Sequence, residues 1–263
     1  MRTRRAVHDT QPVGIAAIGA LAYVLCDLLH ELAHVAATLL PLGVKAVVVS
    51  TVGVSSFGES PVVSAAGPVV NLALGLALWL VRSARLGPAA RYAAWLFGSV
   101  NLFNGTAYLL YSALLGSGDW AVVFGSFAPV PQWRPLAGLA GAALYAASLW
   151  ASLRALRHLL VARVLDERAA DRCCSWSYWV GGAVLVLGSL FNPVSPWLIL
   201  TSGAATGFGA MTGLWALPPL LRRVPVPAAS SADNLHIGWR WIAVSLAATI
   251  VFVGLFGPGV RLA

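Results

Sequence analysis

Long apolar runs separated by short polar or charged breaks dominate the chain. A helix of roughly 20 apolar residues crosses the hydrocarbon core of a bilayer. By that measure the candidate spans are 13–40, 61–82, 89–115, 134–156, 176–192, 195–217 and 238–257. The fifth is short and ends at Asn192-Pro193, so it and the sixth also read as one hairpin. One stretch breaks the helical pattern. Residues 43–58 are β-branched, glycine-punctuated and too short to span as a helix, which predicts two short strands and a turn. Open strand edges are not tolerated against lipid, so this hairpin must lie at the interface or line a cavity. The predicted class is an all-α integral membrane protein: a multi-pass bundle of about seven transmembrane helices, with a short β-hairpin or re-entrant loop after the first.

Composition supports that class. Of 263 residues, 59% are hydrophobic and 10% charged, where a soluble domain carries about 25% charged residues. The net charge of +8 comes mainly from arginine, which on such a chain is a topology signal before it is a nucleic-acid signal. Arginines collect at 2–5, 82–91, 154–172 and 222–240, whereas Lys45, Arg134 and Arg261 fall in the alternate loops. The positive-inside rule then puts the N terminus in the cytoplasm and the C terminus outside. Trp79, Trp133, Trp176, Trp197 and Trp239 sit near span ends, as an interfacial belt requires. The start, Met1-Arg-Thr-Arg-Arg before an apolar run, resembles a signal peptide, but the apolar stretch is too long for one. Cys26, Cys173 and Cys174 are too few for a disulfide framework or a zinc ribbon.

The chemistry concentrates in the first span, in Asp27-Leu-Leu-His30-Glu31-Leu-Ala-His34. His30 and His34 are four apart and share one helix face, the spacing with which two imidazoles grip one zinc ion. Glu31 sits beside them, where a carboxylate takes a proton from metal-bound water. Each ionisable residue in a membrane helix costs about 2.5–3.5 kcal/mol on insertion scales, so this cluster needs a function. A catalytic zinc site takes three protein ligands and one open position. Asp9, Asp166, Glu167, Asp171 and Asp233 lie in charged segments at the other surface, leaving Asp27, Glu59 and Asp119. Glu59 precedes Ser60-Pro61, a helix start. Asp27 shares the helix of the histidines; three ligands on one straight helix string along its axis, which suits Asp27 better as a partner for an imidazole N–H. Asp119 follows the third span after Gly116-Ser-Gly and can close the site from across the bundle. Span two carries Gly67, Asn71 and Gly75 at spacing four, a pattern that lets a neighbouring helix approach closely. Span three carries Asn101, Asn104, Tyr108 and Tyr111 on one polar face.

Together these residues resemble the site-2 protease family of intramembrane zinc metalloproteases, in the M50 class. The matching elements are His30-Glu31-Leu-Ala-His34 in an apolar helix, the β-rich stretch from Gly43, Ala66-Gly67-Pro68-Val-Val-Asn71, and Asn101-Leu-Phe-Asn104 followed by an acidic residue. The resemblance covers 13–125, a three-helix core with the β-loop 43–58, and leaves 126–263 as accessory transmembrane helices. It implies that His30, His34 and Asp119 bind Zn2+, that Glu31 is the general base, and that Asn71, with Asn101 and Asn104, positions substrate. Asn104 stands where the family has proline, and Gly-Asp119-Trp where it has Asp-Gly. Members of the family hold the site toward the cytoplasm, whereas the arginine distribution here puts the His34 end outward.

The function expected is hydrolysis of a peptide bond within or near a transmembrane segment of a membrane-protein substrate, by a multi-pass protein of the cell membrane with no nucleic-acid partner. The other reading is a non-proteolytic membrane protein with a metal site, a regulator or a transporter. Glu31 separates the two, because a site that only binds or moves a metal needs no base between its ligands.

Overall fold

A computed structural model describes residues 11–80, 86–127, 129–223 and 235–262. Arg2, Arg4, Arg5, Asp9, Arg82, Arg85 and Asp233, with most of the linker 222–233, lie outside the described residues. The described residues form eight α-helices, two π-helical stretches and three short strands.

Helix α1 (Gln11–Ala37) is central, packing on α2 (Pro61–Leu80), α3 (Pro88–Leu115), α6 (Glu167–Ser189) and α8 (Trp239–Val251). Its Ile15, Ile18, Tyr23 and Val24 are fully buried. The start of α2 is the expected one: Ser60 caps it, Pro61 opens it, and the Ser60 Oγ accepts from the Val62 N–H at 3.3 Å. Helix α5 (Val130–Val161) packs along α3, and α4 (Asp119–Gly125) is a short helix bent 65° from α3. The π-helical stretch Ile199–Ala210 runs into α7 (Thr212–Leu221), and α8 ends in a second π-helical turn, Phe252–Phe256.

Helix occupies every predicted span, but among the described residues four helices are long and apolar enough to cross a membrane, or five if α3 and α4 count as one bent span. The sequence reading of seven is therefore too generous by length and hydropathy. Glu167, Arg168, Asp171 and Arg172 occupy the first turns of α6, with Asp166 as its N-cap, and the sixth predicted span is divided into a 12-residue π stretch and a 10-residue α-helix. Trp133 also departs from expectation. It is buried against Ala113 and Phe124 in the first turn of α5, so protein and not lipid covers its ring.

The stretch 43–58 forms the predicted hairpin, β1 (Lys45–Ser50) and β2 (Gly53–Phe57), with a bulge between Ala46 and Val48. A third strand, β3 (Val260–Arg261), comes from the far end of the chain and pairs antiparallel with β1, giving the order β2-β1-β3. Leu262 N–H donates to the Val47 carbonyl at 2.8 Å, and Thr51 N–H to that of Phe256 at 3.2 Å. The outer edge of β2 has no strand beside it among the described residues.

Candidate metal centre

Helical periodicity places His30 and His34 one turn apart on α1, and their rings meet edge to face with centroids 4.8 Å apart. Both are buried. Asp119 reaches them from α4. That requires a sharp turn after α3, supplied by two glycines with positive φ, Gly116 at 65° and Gly118 at 84°. Arg134 of α5 holds the end of α3 by donating to the carbonyls of Ala113 at 2.6 Å and Leu114 at 2.5 Å. Asp119 Oδ2 then lies 3.1 Å from His30 Nε2 and 3.4 Å from His34 Nε2. A tetrahedral ion with bonds of about 2.0–2.1 Å sets neighbouring ligand atoms about 3.3 Å apart, so both distances fit one.

The hydrogen bonds behind the rings fix which nitrogen faces the site. His34 Nδ1 is 2.7 Å from the carbonyl of Val63, which can only accept. His30 Nδ1 is 2.6 Å from Asn71 Oδ1. The Asn71 Nδ2 donates elsewhere, to Asn101 Oδ1 at 2.8 Å and the Cys26 carbonyl at 3.2 Å, so Oδ1 accepts from His30. Both Nδ1 atoms thus carry protons, and both Nε2 atoms face the same carboxylate oxygen. A shared cation satisfies all three groups, and locking the Nδ1 proton is how metal-binding imidazoles are oriented. Helix α2 passes close in front of the rings. A Cβ at Gly67 would stand 2.5 Å from His34 Nε2 and 2.6 Å from His30 Nε2. Pro68 follows, and its missing N–H leaves the Ser64 carbonyl without a helical donor, next to the Val63 carbonyl that accepts from His34 Nδ1.

His30, His34 and Asp119 form the group that can hold a metal ion, their ligand atoms all within 4.8 Å of one another. Glu31 is not among them. It is buried, its Oε2 makes no hydrogen bond, and it shares the wall of a cavity of about 510 Å³ with the three ligands. Tyr108, whose ring lies 5.1 Å from that of His30, and Tyr111 line the same cavity, as do Val52, Gly53, Val54 and Ser56 of the hairpin.

Two expectations change. Asp27 is buried with an unpartnered Oδ2 and holds neither imidazole, because Asn71 and the Val63 carbonyl already occupy both Nδ1 protons. Asn71, Asn101 and Asn104 are buried behind the rings and do not line the cavity. Asn71 accepts from His30, and Asn101 and Asn104 bond Asn71 in turn, which makes them supports for His30. Asn71→Ala is therefore expected to weaken metal binding about 10–100-fold, the usual cost of losing such a support. Asn101→Ala, which reaches His30 only through Asn71, is expected to cost less. Competition against a chelator of known affinity checks both. The sequence reading also missed Trp197, Thr201 and Ser202, which close the cavity from the turn before the π stretch and its beginning. Glu59 is exposed and outside the ligand group.

No family model, curated protein or solved structure matches this chain.

Proposed function

We propose that the protein is an intramembrane zinc metalloprotease resembling the site-2 protease family, which hydrolyses a peptide bond in or beside a transmembrane segment of another membrane protein. One observation carries the reading: two imidazoles with locked Nδ1 protons and a carboxylate from another helix converge at ligand spacing, with a non-ligating carboxylate, Glu31, on the same cavity wall. Two nitrogens and one oxygen with a position left open suit catalytic zinc. Zinc held by His30, His34 and Asp119 would supply a Lewis acid for the scissile carbonyl and would acidify water in the site. Glu31 would accept a proton from the attacking water and deliver it to the leaving amine. The outer edge of β2, whose Gly53, Val54 and Ser56 line the cavity, pairs with an extended stretch of substrate.

Placement in a membrane is supported by the apolar helices and by what they leave uncovered. Leu136, Leu139, Leu144 and Trp150 of α5, and Val244, Leu246 and Ile250 of α8, are all exposed. Faces of that extent need lipid or protein against them.

The test is metal content with activity. Purified protein is expected to hold about one zinc per chain, lost in His30→Ala, His34→Ala and Asp119→Ala. Cleavage of a transmembrane reporter is expected to stop with a chelator and return with zinc. Ion flux into vesicles without cleavage would instead mark a transporter.

A further inference from the structure

A second cavity, of about 290 Å³, opens at the opposite end of α2, α3 and α5. Its wall is apolar, formed by Leu78, Trp79, Trp95, Leu102 and Leu159. Its basic side chains are Arg91, Arg154 and His158, and no acidic side chain lines it among the described residues. Arg154 also lies over the ring of Trp150, 5.3 Å from its centroid, on the exposed side of α5. The indole N–H groups of Trp79 and Trp95 donate to the carbonyls of Ala151 and Ser152, which fixes both rings against α5. Ser152 adds a polar group. It lines the cavity, it is 1% exposed, and its hydroxyl has no partner, whereas Ser148 one turn earlier donates to the Leu144 carbonyl. At about 1.5 Å per residue, Ser152 lies about 9 Å along α5 from His158.

We propose that this cavity binds one anionic phospholipid, with its phosphate at Arg91, Arg154 and His158 and an acyl chain along the tryptophan wall. The proposal rests on the membrane reading above and is independent of the metal centre. Basic pockets between helices at the arginine-rich face take acidic headgroups, and the bidentate fork of arginine suits a phosphate diester. Ser152 stands deeper, where its O–H donates to an ester carbonyl of the glycerol. An apolar slot closed by basic side chains fits an anionic amphiphile, because a free anion leaves the tryptophan wall unfilled and a zwitterionic phospholipid brings a quaternary ammonium up against the arginines.

The test is native mass spectrometry of the full chain, purified in detergent and supplied with equimolar dioleoyl phosphatidylglycerol and dioleoyl phosphatidylcholine. One phosphatidylglycerol is expected to be retained in preference to phosphatidylcholine. Arg91→Gln with Arg154→Gln is expected to lower that retention by about tenfold or more. Arg91→Lys with Arg154→Lys, which keeps the charges but loses the bidentate fork, is expected to fall between the native chain and the glutamine pair, and Arg240→Gln on α8, outside the cavity, is expected to leave retention unchanged. Equal retention of the two lipids, or retention unchanged in the paired glutamine variant, would overturn the proposal. So would displacement of the lipid by millimolar inorganic phosphate, which would mark a simple anion site. Zinc content measured on the same samples separates failure here from failure of the metal centre.

Discussion

Glu31→Gln is expected to abolish measurable peptide cleavage while the protein keeps its zinc. The substitution conserves shape and removes the basic oxygen. Glu31 lies outside the ligand group, so nothing that holds the ion is lost. A positioned general base contributes about 10²–10⁴-fold to rate, and a loss near the upper end puts activity under the detection limit of a gel-based assay. Cleavage of a transmembrane reporter and metal analysis on one preparation check both halves of the statement. Retained cleavage sinks the mechanism. Loss of zinc with loss of activity would make Glu31 a ligand and return the question of the third donor to Asp119.

Gly67→Ala is expected to be as damaging from the opposite side of the site. The added methyl would stand 2.5 and 2.6 Å from the two Nε2 atoms that face Asp119, where ordinary contacts lie at about 3.5–4.0 Å. Either α2 moves away from α1 by about 1 Å or the rings rotate out of line, and a misplacement of that size in a catalytic site costs about 10²-fold. The expected result is loss of zinc and of activity with helix content unchanged by circular dichroism. Gly209→Ala in the π stretch, where a Cβ meets nothing within 4 Å, is expected to leave both intact. A Gly67→Ala protein with normal zinc content would show that α2 does not set the geometry of the centre.

The legible parts of the site were those that depend on local periodicity. His30, Glu31 and His34 lie within five consecutive residues of one helix, and an i, i+4 pair faces one way whatever the rest of the chain does. Asp119 was reached by eliminating other acids, and the two glycines before it already signalled the turn that brings it back. The supports were harder to see. The acceptor for His34 is a backbone carbonyl, Val63, and every residue has one, so no residue type marks it. Asn71 was visible as a polar residue on a packing face, but whether it holds a ring or a substrate depends on which side of the imidazoles α2 passes. Gly67 looked like a helix-packing residue and is one, except that the group it admits is a pair of ring nitrogens. Asp27 was misassigned because its spacing from the histidines, although helical, says nothing about which neighbours reach their Nδ1 protons first. Trp197 and Thr201 come from a segment more than 75 residues further along the chain than Asp119, and β3 is two residues long. Neither carries a pattern of its own, and each acquires a role from tertiary contacts alone.

The pairing of β3 with β1 bears on whether the enzyme-like part can be cut free. A hairpin of two strands is marginal on its own in water, and here the missing edge comes from residues 260–261. Helix α1 likewise buries its other side on α6 and α8. Expressing 11–125 alone would strip the hairpin of one neighbour and α1 of two, and the fragment is expected to fold poorly by itself. Co-expressed with 126–263 as a split protein, it has the surfaces to reassemble, and the last strand would act as the latch. A tag fused directly after Arg261 would load that latch, which makes the amino terminus the safer place for a handle.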